Sequence, residues 1–164
     1  QGSHAIDIAW WLMGCPSPSS AFAVMHDGTA PKMGTTKNGA EWTVYDIEDF
    51  ATGIIRFKDN KSITIRTSYF SNCAKDIFSC EILGTKGGIT WPDTIITKPY
   101  GNYVRRKKLK VEDSSLASVA ELSHFTSLIK GTDQAIVPLQ QSVELIKMID
   151  GLYESATTEQ IFHF

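Results

Sequence analysis

The order in which the hydrophobic period changes along the chain restricts its fold more than any other feature. A short segment with helical spacing comes first, a long β-rich middle follows, and the last third returns to helical spacing. Helices and strands therefore do not alternate, which disfavours a doubly wound parallel sheet. The pattern predicts an α+β domain in which a mostly antiparallel, open sheet has helices packed on one face. The other face of that sheet is then available for oligomerisation.

The helical segments have recognisable boundaries. Residues 3–13 (SHAIDIAWWLM) carry apolar side chains at helical spacing, with Ser3 as an N-cap and Gly14 just beyond the end. Apolar residues return to helical spacing over residues 119–129 and again over residues 139–153. We therefore expect one helix before the β-rich middle and two helices after it.

The β-rich middle begins with a predicted hairpin. Residues 49–57 and 62–70 are rich in β-branched and aromatic side chains, and the segment KDNK at 58–61 forms the turn between them. Neither face of the strand at 49–57 is clearly polar, which favours a partner on the second face of the sheet. A third strand at 76–83 is followed by the glycine-rich turn GTKGG. Further short strands are predicted at residues 19–26, 89–91, 94–97, 104–111 and 160–164, with a loop at 27–39.

Composition excludes several classes of protein. Sixteen basic and eighteen acidic residues leave a formal charge of −2, which provides no electrostatic reason to expect nucleic acid or an anionic membrane as a partner. The sequence contains no apolar run near the ~20 residues that span a bilayer. Cys15, Cys73 and Cys80 form no CxxC pair, which indicates reduced thiols and a cytoplasmic location. No other spacing typical of metal ligands is present, so we expect no metal site.

His4 and Asp7 lie one turn apart at the start of the first helix, on roughly the same face. Imidazole exchanges protons near neutral pH, so His4 suits proton transfer to a hydroxyl or carbonyl oxygen beside a carboxylate that binds substrate. The alternative is structural: Asp7 lies near the positive end of the helix dipole and His4 is only exposed. Spacing alone favours the structural alternative.

Two further segments have structural alternatives that we favour. The basic run RRKKLK at residues 105–110 suits either an anion-binding patch or a solvated edge strand protected by its charges. It has no interleaved aromatic residues of the kind that stack on single-stranded nucleic acid. The glycine-rich turn at 84–88 lacks the GxxxxGK[ST] spacing and precedes no long helix, so we interpret it as a hairpin turn.

Four segments, taken together, resemble a known family. They are GSHAIDIAWWLMG at residues 2–14, EDFATGIIRFKDN at 48–60, CEILGTKGGI at 80–89 and PLQQSVELIKMIDGLYESA at 138–156. In this order and spacing they resemble the C-terminal domain of the Gfo/Idh/MocA family of NAD(P)-dependent oxidoreductases. The resemblance covers nearly the whole chain, and the first and last segments are its most specific parts.

The resemblance implies two domains with different functions. Family members bind NAD or NADP on an N-terminal Rossmann domain, while the second domain binds a sugar, polyol or related substrate and builds a homodimer or tetramer. The family's proton-relaying histidine corresponds to His4, and the aspartate three residues later, a substrate contact, corresponds to Asp7. The resemblance places no cofactor-binding residue in this chain.

The chain also departs from the family pattern. An aspartate that usually stands four residues before the histidine falls outside the chain, as do the family's catalytic lysine and its glycine-rich fingerprint. Residues 1–164 are therefore predicted to form a C-terminal substrate-binding and oligomerisation domain without the N-terminal Rossmann domain. The alternative function is a stand-alone α+β protein-interaction module without catalytic activity.

Overall fold

The computed structural model describes residues 2–28, 47–69, 71–110 and 116–164. It divides the chain into two compact units: unit 1 contains Gln1–Phe78 and Glu144–Phe164, and unit 2 contains Ser79–Val143. The described elements are, in chain order, α1 (Gly2–Leu12), β1 (Pro18–His26), β2 (Phe50–Phe57), β3 (Ser62–Ser68), β4 (Cys80–Gly84), β5 (Gly87–Trp91), β6 (Ile95–Tyr100), β7 (Tyr103–Lys108), α2 (Ala117–Ile129), α3 (Leu139–Thr158) and β8 (Phe162–His163).

The predicted α+β class is confirmed. The described strands form two antiparallel four-stranded sheets, with the order β3-β2-β1-β8 in unit 1 and β4-β5-β6-β7 in unit 2. The hydrophobic period did not indicate this division into two sheets. Most of the predicted loop over residues 27–39 lies outside the described residues. Within the described ranges, no helix has the length and apolar character that crossing a bilayer requires.

Helix α1 spans Gly2–Leu12 and ends for the expected reason, but Ser3 lies within the helix and is not its N-cap. Gly14 has a positive φ of 83°, a conformation that glycine adopts without strain. The indole Nε1 of Trp10 donates a hydrogen bond of 2.9 Å to the carbonyl of Pro16, which ties the segment after the helix back onto it. Helix α1 buries Ile6, Ala9 and Trp10 and packs along β3.

The core of unit 1 lies on one face of its sheet. Ile55 and Phe57 are almost completely buried, and Met148 and Leu152 on α3 contribute to the same core. Close packing depends on Gly53: a Cβ atom there would lie 2.9 Å from the carbonyl oxygen of Phe22 and 3.0 Å from a methyl of Leu152. Glycine at this position therefore allows α3 to approach the sheet closely.

The second face of this sheet is open. Phe22, Val24 and Ile54 are each 40 to 43% exposed, and the register of the strands places Phe22 directly opposite Ile54. Arg66 and Thr64 on β3 are exposed on the same face. The open face is therefore partly apolar, as the mixed pattern of the strand at 49–57 indicates.

Unit 2 consists of its own sheet and helix α2. Hairpin turns connect β4 to β5, β5 to β6 and β6 to β7, so the four strands form a simple meander. Strand β4 begins at Cys80, later than predicted, because its pairing with β5 starts with Cys80 opposite Trp91. The basic strand β7 lies at the edge of this sheet, as predicted. No described residue of unit 2 is fully buried.

Candidate functional site

The start of α1 carries the two site residues that the sequence singles out. His4 is exposed and Asp7 is half-buried, and both belong to the first two turns of the helix. The hydroxyl of Ser3 lies 3.4 Å from Nδ1 of His4. Burial and the negative charge of Asp7 both raise the pKa of the Cys15 thiol, so Asp7 influences the electrostatics at the far end of the helix.

A cavity of about 300 Å³ opens beside this helix start, entirely within unit 1. Gly2 and Ser3 line it from α1, Thr67 lines it from β3 and Tyr153 lines it from α3. His4 and Asp7 are not among the residues that line it. The structure therefore brings the start of α1 to the cavity but places the two predicted side chains outside its walls.

Polar groups of the cavity come from several elements, among them α3 and the segment that leads into β2. The phenol of Tyr153 donates a hydrogen bond of 2.7 Å to a carboxylate oxygen of Glu48. Burial, together with this hydrogen bond and the charge of Glu48, raises the pKa of Tyr153 to about 12. Tyr153 therefore remains protonated across the physiological range and keeps its role as a hydrogen-bond donor.

Asp49 is the most buried acidic residue of the site, with 1% of its surface exposed. Its backbone joins the ends of two strands: its N–H donates to the carbonyl of His26, and its carbonyl accepts from the N–H of Tyr69 and from the hydroxyl of Ser68, all at 2.9 Å. These bonds fix the position of Asp49, which is one of the residues that line the cavity. Carboxylate, phenol and hydroxyl groups together suit a ligand with several hydroxyls.

Sequence reasoning missed Glu48, Asp49 and Tyr153. Glu48 and Tyr153 are 105 positions apart, so no local spacing connects them. Tyr153 belongs to the apolar periodicity of α3, which indicates a core position rather than a polar contact. The only available signal was an acidic pair directly before a strand, which is also common at ordinary strand starts.

The glycine-rich turn at residues 84–88 is a hairpin turn, as the sequence analysis interprets it. The glycine-rich turn joins β4 to β5 in an antiparallel hairpin, so it lacks the strand-to-helix geometry that cradles a dinucleotide. In the part of the chain that the structure describes, no three His, Cys, Asp or Glu side chains are grouped to hold a metal.

The sequence matches the family described as "Oxidoreductase family, C-terminal alpha/beta domain" over residues 1–162. A comparison with curated protein sequences finds no match. Among solved structures, the chain is similar to levoglucosan dehydrogenase in complex with NADH, with 16% identity and a TM-score of 0.78, covering 99% of this chain and 48% of that one.

Two further structures share the fold at 16% identity. Aldose-aldose oxidoreductase from Caulobacter crescentus, complexed with glycerol, has a TM-score of 0.70 and is matched over 99% of this chain and 46% of its own. The WlbA dehydrogenase from Bordetella pertussis, in complex with NADH and UDP-GlcNAcA, has a TM-score of 0.65 over 100% of this chain and 43% of its own. The chain thus spans a little under half the length of these structures.

Proposed function

The chain belongs to the oxidoreductase C-terminal alpha/beta domain family, and from this premise we propose that it is the substrate domain of an NAD(P)-dependent oxidoreductase. Its substrate is a sugar, polyol or related hydroxyl or carbonyl compound. The observation that carries the proposal is the family match over residues 1–162. The cavity of about 300 Å³ at the start of α1, with Glu48, Asp49 and Tyr153 in its lining, supports a substrate pocket in this domain. No observation favours the alternative of a stand-alone interaction module.

His4 and Asp7 have distinct roles in this proposal. A nicotinamide cofactor bound by the parent protein would supply the hydride exchange with the substrate carbon. His4 accepts the proton of the substrate hydroxyl during oxidation and returns it during reduction. Asp7 accepts a hydrogen bond from a second hydroxyl and so orients the substrate. The exposure of His4 at the start of α1 supports this role, because an approaching substrate reaches it without displacing protein atoms.

Steady-state kinetics of the intact oxidoreductase that carries this chain tests these roles. His4→Ala is expected to lower kcat by roughly 10²–10⁴, the usual contribution of one general acid–base group. Asp7→Asn is expected to act mainly on KM, because it removes binding shared by the ground state and the transition state. The exposed His163 on β8 provides a matched control, and His163→Ala should leave kcat unchanged. A wild-type kcat for His4→Ala would contradict the catalytic role.

The cofactor belongs, in this proposal, to a part of the parent protein outside residues 1–164. The hairpin geometry of the turn between β4 and β5 supports this placement. Calorimetric titration of the 164-residue chain with NADH and with NADPH is expected to give no binding in the micromolar range. Micromolar binding of either dinucleotide would refute the assignment.

We also propose that the open face of the unit 1 sheet builds a homodimer or tetramer. Phe22, Val24 and Ile54 offer exposed apolar surface there, and a stable dimer needs to bury at least ~1,000 Å². Ile54→Lys should convert the oligomer into monomers in light scattering, because it places a charge in the interface. Leu83→Lys, at an exposed apolar position of unit 2, is the matched control. A monomeric wild-type protein at high micromolar concentration would refute the proposal.

The cytoplasm is the proposed location. Cys15, Cys73 and Cys80 are free thiols in the structure, the usual state of cysteine in a reducing compartment. Titration of the unfolded, unreduced protein with a thiol reagent should therefore detect every cysteine. Loss of thiols to a disulfide in freshly prepared protein would contradict this location.

A further inference from the structure

A groove of about 360 Å³ lies on one face of the unit 2 sheet, where β6 and β7 pair. Three cationic side chains, Lys98, Arg105 and Lys107, line it together with Ile96 and Leu109. None of these residues belongs to the site proposed above. The basic run that the sequence analysis interpreted as edge-strand protection therefore contributes to a concave surface.

The strand register concentrates positive charge in this groove. Lys98 lies directly opposite Arg105, and Lys107 follows Arg105 by two positions on the same face. Directly opposed like charges destabilise a sheet unless a counter-charge is present. In the described part of the chain, none of the three forms an ion pair with an acidic side chain.

The strands of this sheet offer no compensating carboxylate on that face. Glu81 is the only acidic residue in the four strands, and it pairs with Thr90. Thr90 in turn pairs with Ile95, and Ile95 pairs with Lys108. Glu81 therefore lies on the face of the sheet opposite the groove. The groove therefore carries a positive potential that the sheet does not neutralise.

Protection of the sheet edge does not account for this arrangement. Edge strands use charged residues against aggregation, which explains the cations of β7, but Lys98 lies on β6, an internal strand. The stem of Lys98 lies along Gly87, where a Cβ atom would be 3.4 Å from its Cγ atom.

We propose that this groove binds a small ligand with two adjacent phosphate groups, of the nucleoside diphosphate class. Opposed residues of a β-ribbon have Cβ atoms ~5 Å apart, and residues two positions along a strand are separated by ~7 Å, so the three cations can contact neighbouring phosphates together. Ile96 and Leu109, both half-buried, provide an apolar wall for the base. The proposal is independent of the proposed function.

Calorimetric titration of the protein with UDP, with inorganic pyrophosphate and with uridine tests this site. UDP and pyrophosphate should bind, UDP more tightly, and uridine should bind at least tenfold more weakly than UDP. The double variant Arg105→Met/Lys107→Met should weaken UDP binding by a factor of ten or more, because each charged hydrogen bond contributes about that factor or more.

The matched control uses the same strand and the same charges. Arg106→Met/Lys108→Met removes two cations from the opposite face of β7 and should leave UDP binding within twofold of the wild type. Equal loss in both double variants would show a diffuse charge effect and would overturn the site. Absence of UDP and pyrophosphate binding to the folded wild-type protein would overturn it as well. Circular dichroism of each variant confirms that the sheet is intact.

Discussion

The two units of the chain differ in how their apolar residues are used. Every buried apolar residue in the described ranges lies in unit 1, where Phe57 and Met148 are at most 1% exposed. In unit 2, Leu83 is 82% exposed and Ile129 is 73% exposed. Unit 1 is held together by a core, whereas the sheet of unit 2 is held mainly by its backbone ladder. Similar apolar periodicity in two regions thus leads to different burial.

Helix α2 illustrates the difference most clearly. Its apolar stripe contains Val119, Leu122, Phe125 and Ile129, each more than half exposed. The spacing predicted the helix correctly, but a helical period does not specify which surface covers it. Equivalent changes in the two units should therefore have different effects.

Truncation of a large apolar side chain should give the largest difference between the two units in the free energy of unfolding that is lost. Phe57→Ala is expected to lower the free energy of unfolding by about 3–5 kcal/mol, because it leaves a new cavity where the side chain is only 1% exposed. Leu83→Ala, at an exposed position of unit 2, should change it by about 0.5 kcal/mol or less. Urea denaturation measures both. Similar losses for the two variants would show that the contrast in burial does not govern stability.

Replacement of a buried serine, Ser155, should cost more stability than replacement of an exposed one, Ser127. The Ser155 hydroxyl is fully buried, donates to the carbonyl of Gln160 at 2.6 Å and accepts from the N–H of Ala23 at 3.2 Å. Ser155→Ala therefore leaves buried backbone groups without this partner and should cost about 1–3 kcal/mol. The hydroxyl of Ser127 on α2 donates an exposed hydrogen bond of 3.1 Å to the carbonyl of Ser123.

Replacement of that second serine is the matched control. Ser127→Ala should leave stability unchanged or raise it slightly, because a serine that bonds four residues back slightly disfavours a helix. Thermal unfolding of the two variants provides the comparison. A cost for Ser127→Ala equal to that of Ser155→Ala would contradict the distinction between the units.

Alkaline pH should weaken unit 1 through Tyr153. Its pKa is raised to about 12, above the ordinary value of about 10, so the folded state favours the protonated phenol. The resulting stabilisation is complete below about pH 10 and is lost as pH rises through 12. Ultraviolet titration of tyrosinate should show one late ionisation that is absent in Tyr153→Phe. If the late ionisation persisted in that variant, the assignment would be wrong.

Acid pH should weaken unit 2, with the smallest effect. The backbone N–H of Gln134, at 2.8 Å, and the ring of His124, at 3.1 Å, hold the pKa of the Asp133 carboxyl below its ordinary value. This stabilisation is present above the ordinary pKa of an aspartate and is lost as pH falls through the lowered one. Carboxyl carbon NMR shifts of Asp133 follow the titration. An unshifted titration would contradict the predicted contact.

Local features of the fold were predictable from the sequence, and long-range ones were not. The end of α1 follows from Gly14, and the β2–β3 hairpin follows from its turn KDNK, because both depend on residues close together in the chain. The close contact at Gly53 and the pairing of β8 with β1 depend on residues far apart in sequence, which a period of 2 or 3.6 does not encode.

The candidate site also has a local part, which could be predicted from the sequence, and a long-range part, which could not. His4 and Asp7 were found because they lie within one helical turn, and their roles remain predictions. The cavity was not found, since Ser3, Asp49 and Tyr153 come from three separate segments that only the folded chain brings together.

The pairing of β8 with β1 has a consequence for how the protein emerges from the ribosome. Ala21 pairs with Phe162, so the sheet of unit 1 has one of its earliest and one of its latest segments side by side. Unit 2 is complete in the nascent chain before the part of α3 that covers the first sheet has been made. We therefore expect the apolar face around Ile55 to be a site of chaperone contact during synthesis, released only when Leu152 has been translated and docked.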